Sequence, residues 1–231
     1  MKTIGLIGGM SWESTALYYK WLNEGVKARL GGLHSARIAM VSVDFAEIET
    51  LQHAGDWDAA GAILARAGQS LEAAGADFIL ICTNTMHKVA PAVESVLSVP
   101  LLHLADGTGE RLVAAGIRRV GLLGTAFTME QDFYTGRLRE RHGLDVVVPN
   151  DADRALVHRV IYEELCLGQV LDQSRERYLE VIDRLASDGC EAVILGCTEI
   201  TLLVKQDDTN VPLYDTTAIH ADIALDRALI A

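Results

Sequence analysis

One segment of this chain is written twice, and the repetition limits what the chain can fold into. Gly75-Ala-Asp-Phe-Ile-Leu-Ile-Cys-Thr-Asn-Thr-Met-His87 returns as Gly189-Cys-Glu-Ala-Val-Ile-Leu-Gly-Cys-Thr-Glu199. Each copy holds a helix-ending glycine, an acidic residue, an apolar run, and then small polar residues with a cysteine. An apolar run of that length after a helical stretch predicts a buried parallel strand. Polar residues just past such a strand stand at the carboxyl edge of the sheet, where open α/β folds bind ligands. Aligned from the two glycines without gaps, Thr83 falls opposite Cys197, and Cys82 opposite Gly196.

The echo extends further. Ile4-Gly-Leu-Ile-Gly8-Gly9 recurs as Val120-Gly-Leu-Leu-Gly124-Thr125, and Val99-Pro-Leu-Leu recurs as Val211-Pro-Leu-Tyr. The offsets are 116 residues at Gly8/Gly124, 114 at Thr83/Cys197 and 112 at Pro100/Pro212. Such long, steady offsets mark a duplicated α/β unit, since solenoid periods are far shorter. The expected fold is α/β: two pseudo-symmetric domains, each a small parallel sheet flanked by helices, with the active site in the cleft between them. Residues 1–100 plus 212–231 are assigned to the first domain and 101–211 to the second. The last helix, from Ala218 to Ile230, is expected to pack back on the first half.

Several elements follow in outline. A helix from about Trp12 to Arg29 is capped by Ser11, and Gly8-Gly9 lets backbone N–H groups approach a ligand there. The glycine spacing does not match a dinucleotide fingerprint. Ala36–Val43 reads as a strand and Asp58–Ala74 as a helix ending at Gly75. Between them Glu47, Glu49, Gln52 and His53 form a polar face expected to be solvated. Thr83–His87 should open a helix that Pro91 ends or kinks, with His87 serving local backbone groups. In the second half helices are expected over Met129–His142, Asp153–Leu167 and Ser174–Ser187, with a strand over Leu144–Val148.

Composition excludes several functions. A formal net charge of −12, from 32 acidic and 20 basic residues, argues against nucleic-acid or anionic-membrane binding. No apolar run is long enough to span a bilayer, and Met1-Lys-Thr leads straight into a strand without a cleavable signal pattern. The cysteines Cys82, Cys166, Cys190 and Cys197 lack Cys-x-x-Cys spacing, so reduced thiols in a cytoplasm are expected, and no metal site.

Facing halves would set Thr83 and Cys197 on opposite sides of a small molecule. Removal of a proton from one face of a carbon and its return from the other is racemisation or epimerisation. Helix N-termini at the strand ends are expected to lower the Cys197 pKa so that its thiolate serves as base. Ser11, Asn84, Thr85, Thr125 and Thr198, with nearby N–H groups, are donors for a carboxylate and for developing enolate charge. No cofactor is required, and none of the five lysines has a Schiff-base setting.

Three ordered motifs, Gly8-Gly-Met-Ser-Trp-Glu-Ser-Thr15, Thr83-Asn-Thr-Met-His87 and Gly196-Cys-Thr-Glu199, resemble those of the aspartate/glutamate racemase family. Ile161-Tyr-Glu-Glu and Val204-Lys-Gln-Asp-Asp add to the resemblance, which spans nearly the whole chain. It implies a cofactor-independent amino-acid racemase with a two-base mechanism, expected as a homodimer. Met10 and Glu199, inside these motifs, join the substrate-binding set.

The chain departs from the family at two places. Family members typically show Cys-Asn-Thr-x-His, and here Thr83 occupies the position of that Cys. Cys82 lies one residue early, which in a strand points it to the opposite face, so it is read as a core residue. Cys197 is therefore the working thiol and Thr83 its opposite number. The resemblance implies that members with strong aspartate preference supply an Arg after the second strand and a Lys in the segment equivalent to Ile161–Gly168. Those regions here offer Glu47, Glu49, Gln52 and Cys166, with Gln52 a candidate substrate contact. Two other readings remain open: a single-cysteine decarboxylase or isomerase of small dicarboxylates, and a non-catalytic amino-acid-binding module.

Overall fold

A computed structural model of the chain describes residues 1–230. The chain forms two compact units, Met1–Leu104 completed by the C-terminal stretch from His220, and Ala105–Ile219.

The first unit opens with β1 (Ile4–Gly8), α1 (Trp12–Leu30), β2 (Ile38–Ser42), α2 (Phe45–Ala54) and α3 (Trp57–Ala73). It continues through β3 (Phe78–Ile81), a 3-10 turn over Thr85–Val89, and α4 (Ala90–Glu94). The strands pair in parallel in the order β2-β1-β3. The repeated motif Val99-Pro-Leu-Leu forms only a parallel bridge here, between Ile79 and Leu101. Two hydrogen bonds hold it, Ile79 N–H to the Pro100 carbonyl at 3.0 Å and Leu102 N–H to the Ile79 carbonyl at 2.9 Å.

Side chains along β3 alternate between two apolar clusters, as the pleat requires. Ile79 and Ile81 pack with Leu64, Leu71 and Met86. Phe78, Leu80 and Cys82 pack with Ile4, Leu6, Tyr18 and Leu22. Three helices start on side-chain caps: Ser11 Oγ accepts from Ser14 N–H, Asp44 from Ala46 N–H and Asp56 from Ala59 N–H. Pro91 does not end a helix; it sits in the first turn of α4, where its missing N–H costs nothing.

The second unit follows α5 (Leu104–Ala114) with β4 (Arg119–Gly124), α6 (Ala126–Glu130), α7 (Asp132–His142) and β5 (Asp145–Val147). Then come α8 (Asp151–Glu163), α9 (Asp172–Ser187), β6 (Ala192–Gly196), α10 (Ile200–Leu203) and β7 (Leu213–Asp215). Its parallel sheet runs β5-β4-β6-β7, the same order as the first with a full fourth strand. The helix expected over Met129–His142 is two helices, because Gln131 is extended at φ −103° and ψ 145°. Since β7 pairs with β6, this unit runs to Ile219, past the boundary drawn after Val211 from the sequence.

The last helix, α11 (Thr216–Leu229), returns the chain to the first unit. Its Ala221, Ala224, Leu225 and Ala228 complete the cluster of Ile4, Tyr18 and Cys82, as the sequence led us to expect.

Candidate active site

At the carboxyl edge of the first sheet, the turn after β1 is held by α1. Gly9 has φ +95°, open to glycine alone without strain, and a Cβ there would run into the Val43 carbonyl. Gly9 N–H donates to Thr15 Oγ1 at 2.8 Å, and the Thr15 hydroxyl donates to the Ser11 carbonyl at 2.9 Å. The Ser14 hydroxyl donates to the Cys82 carbonyl at 3.0 Å, so the same helix turn also grips the end of β3. Met10 and Ser11 are buried within this arrangement, Met10 in the apolar cluster of Ile7 and Ile81.

Cys82 continues the ladder, its N–H donating to the Ile7 carbonyl at 2.9 Å. Its side chain is fully buried, and burial pushes its thiol pKa far up. Thr83 is partly exposed, while Asn84 and Thr85 are buried. Asn84 precedes the 3-10 turn without capping it through its side chain. His87 bonds the Thr83 carbonyl through Nδ1 at 2.8 Å, the local backbone role expected of it.

Gln52 differs from expectation as a member of a solvated face. It is 4 % exposed, and its Nε2–H donates to Met86 Sδ at 3.0 Å. Glu47 and His53 of the same helix are exposed. Helical periodicity explains the split: Ile48 and Gln52, four apart, share the inner face.

In the second unit, Gly124 and Gly196 end adjacent strands. A Cβ on Gly124 would lie 3.1 Å from the Gly196 carbonyl, and one on Gly196 2.9 Å from the Leu123 carbonyl. Cys197, 9 % exposed, follows, and its thiol donates to Glu199 Oε2 at 2.9 Å. Burial raises the Cys197 pKa well above the ordinary thiol value, the Glu199 carboxylate raises it further, and Cys166 adds to the effect. The expected lowering by a helix N-terminus is thus reversed. The helix after Cys197 is only Ile200–Leu203, too short to outweigh burial beside a carboxylate.

Thr198 and Thr217 share a hydroxyl–hydroxyl hydrogen bond of 2.7 Å, and the Thr216 hydroxyl donates to the Leu195 carbonyl at 3.0 Å. Thr125 caps α6, its Oγ1 accepting from Thr128 N–H at 3.3 Å. Ala126 N–H, next in the chain, donates to His158 Nδ1 at 3.2 Å. Thr125, Cys197, Thr198 and Glu199 therefore gather at one sheet edge. Met10, Ser11, Thr83, Asn84 and Thr85 gather at the other unit's edge, with Gln52 reaching Met86 in the turn beyond. Among the described residues no group of three or more His, Cys, Asp or Glu is arranged to hold a metal ion.

Sequence reasoning missed His103, His158, Thr216, Thr217 and His220. His103 and His220 are lone polar residues between apolar neighbours, His158 and Thr216-Thr217 lie in ordinary helical sequence, and only the fold reveals their partners. Ser14 lay inside the Gly8–Thr15 motif, but its bond to the Cys82 carbonyl, 68 residues away, has no local signal.

The model of the family described as Asp/Glu/Hydantoin racemase matches residues 7–224. A crystal structure from Yersinia pestis, provisionally named an Asp/Glu racemase, is 56 % identical, covers 100 % of both chains and superposes with a TM-score of 0.95. An aspartate racemase homologue from Pyrococcus horikoshii OT3 is 37 % identical over 99 % of both chains, with a TM-score of 0.86. The broad specificity amino-acid racemase RacX of Bacillus subtilis (strain 168) is 24 % identical over 65 % of this chain and 64 % of its own.

Proposed function

Because the chain belongs to the Asp/Glu/Hydantoin racemase family, we propose that it is an amino-acid racemase that works without a cofactor on aspartate, glutamate or related amino acids. Cys197 takes or returns the Cα proton on one face of the substrate, and Thr83 serves the other. The observation that carries this reading is the setting of the two cysteines. Cys197 directly follows its strand and is bonded to a carboxylate, whereas Cys82 is sealed in a core.

The resting Cys197 is a protonated thiol, so it is ready to donate. Acting as a base requires that its proton first move away, and Glu199 Oε2 is the acceptor within 2.9 Å. An incoming substrate ammonium near this pair would stabilise the resulting negative charge. On the other face a Thr hydroxyl is a poor base at neutral pH. Proton abstraction by Cys197 should therefore outpace abstraction on the Thr83 face. The equilibrium between enantiomers stays at unity whatever the catalyst, so the imbalance is expected as rapid Cα exchange of one enantiomer with weaker net inversion.

For the substrate side chain we propose Gln52. Its amide donor now rests on a thioether, a weak acceptor, and would gain by exchanging it for a carboxylate. The same reading makes the protein a homodimer of a reducing cytoplasm.

Hydrogen–deuterium exchange at Cα, followed separately for L- and D-Asp and for L- and D-Glu, tests the function. Exchange with inversion is expected. The Thr at position 83 favours a second reading, a single-cysteine decarboxylase, whose signature is CO2 release from a small dicarboxylate. Tight binding with neither exchange nor CO2 release points to a binding module and defeats both enzymatic readings.

A further inference from the structure

Behind the Thr83 turn the first unit buries four polar side chains in a file: His103, His87, His220 and Tyr18. His87 Nδ1 lies 2.8 Å from the Thr83 carbonyl, and its Nε2 lies 3.2 Å from Leu104 N. A carbonyl oxygen only accepts, so Nδ1 carries the proton; a backbone N–H only donates, so Nε2 does not. Two backbone groups thus select the neutral Nδ1–H tautomer.

The ring is also confined. His103 packs against it at 4.5 Å between centroids and His220 at 5.8 Å. His220 is itself held at both nitrogens. Nε2–H donates to the Leu102 carbonyl at 2.9 Å, and Nδ1 accepts the Tyr18 hydroxyl at 2.8 Å.

We propose that His87 is a positioning residue for Thr83, a role that rests on Thr83 being the second proton-handling group. The strand ladder holds the backbone at Cys82 N–H. One residue later the direction of the side chain depends on the peptide that follows, whose oxygen is the one His87 grasps. The bond closes the turn from residue 83 to residue 87 and fixes that peptide plane. That plane sets ψ of Thr83, while φ is set by the preceding peptide, whose Cys82 carbonyl accepts from the Ser14 hydroxyl. A rotation of the plane that His87 holds would turn Thr83 away from the reaction and would carry the Asn84 N–H, which belongs to the same peptide, with it.

The test uses two amides that each replace one imidazole nitrogen. In His87→Asn the amide N–H takes the place of Nδ1–H; in His87→Gln the amide oxygen takes the place of Nε2 and the donor to Thr83 is lost. Thr83→Ala first identifies the enantiomer whose Cα exchange depends on that face. For this enantiomer His87→Gln should lower kcat about three- to tenfold, the worth of one net hydrogen bond, with a smaller change in KM. His87→Asn should restore most of the rate, and exchange on the Cys197 face should hold in both variants.

Equal loss on both faces in a folded His87→Gln protein, or no loss at all, overturns the proposal while leaving the racemase reading intact. If Thr83→Ala leaves both exchange rates unchanged, the role of Thr83 fails, and this proposal with it. Nitrogen-15 shifts of the His87 ring in the unmodified protein give an independent check. They should report the Nδ1–H tautomer, and an Nε2–H ring contradicts the proposal whatever the variants do.

Discussion

Cys197 and Cys82 carry the same functional group in opposite roles, and the difference is one of surroundings. Cys197→Ser should reduce Cα exchange by about a thousandfold, within the usual worth of a positioned acid/base group, while Cys82→Ser keeps most of it. Loss of activity in a folded Cys82→Ser protein would exchange their roles. The raised thiol pKa of Cys197 keeps one proton on the Cys197–Glu199 pair, and since that proton only moves within the pair, exchange on its face should stay level from neutrality into the alkaline range, read from a kcat/KM profile. His220 gives a stability prediction of the other sign. Burial and then His87 lower its pKa from 6.5 to about 3, so the folded protein resists a proton that the unfolded chain accepts. That stability is complete above the unfolded value of about 6.5 and declines as pH falls towards the folded one, by up to about 1.4 kcal/mol per unit. Urea unfolding at neutral pH and at about pH 5 should show a drop up to about 2 kcal/mol larger for the natural protein than for His220→Gln. At this scale the sequence revealed identities better than environments. The one-residue offset of Cys82 was legible because pleat parity is local. The protonation state of Cys197 was not, since it follows from burial and from the way the Glu199 side chain folds back.

Helices α1 and α11 meet where Gly25 faces Leu225, and a Cβ on Gly25 would fall well inside contact distance of a Leu225 methyl. Alanine normally favours a helix over glycine by about 1 kcal/mol. Leu225 is only 4 % exposed within the apolar cluster, so overpacking of about 1–3 kcal/mol should prevail and Gly25→Ala should lower the melting temperature. In a Leu225→Ala background the same substitution should be neutral or stabilising, and persistent destabilisation there removes the steric account. Element order was largely legible from the sequence, because the repeat predicted the same alternation of strands and helices, and a small parallel sheet, in both halves. The break at Gln131 was not. Met129-Glu-Gln-Asp-Phe133 contains neither glycine nor proline, and no local signal marks it. The bridge at Leu101 shows the converse, a strand motif carried by both halves that matures into β7 in only one of them.

The family relation and the acidic charge of −12 describe the chain as a whole. No helix among the described residues is long and apolar enough to cross a membrane. A homodimer, proposed with the function, should give about twice the 25.0 kDa chain mass in light scattering; a monomer at working concentration refutes it. The duplication made two similar sheets legible, but not where the second unit ends, because that depends on which sheet β7 joins. The return of α11 has a consequence for biosynthesis. Chains are usually said to fold from the N-terminus as they leave the ribosome. Here residues 105–219 are released whole while the first unit still lacks Ala221, Ala224, Leu225 and Ala228. The half encoded second can settle first, and the half encoded first stays unfinished until α11 has emerged.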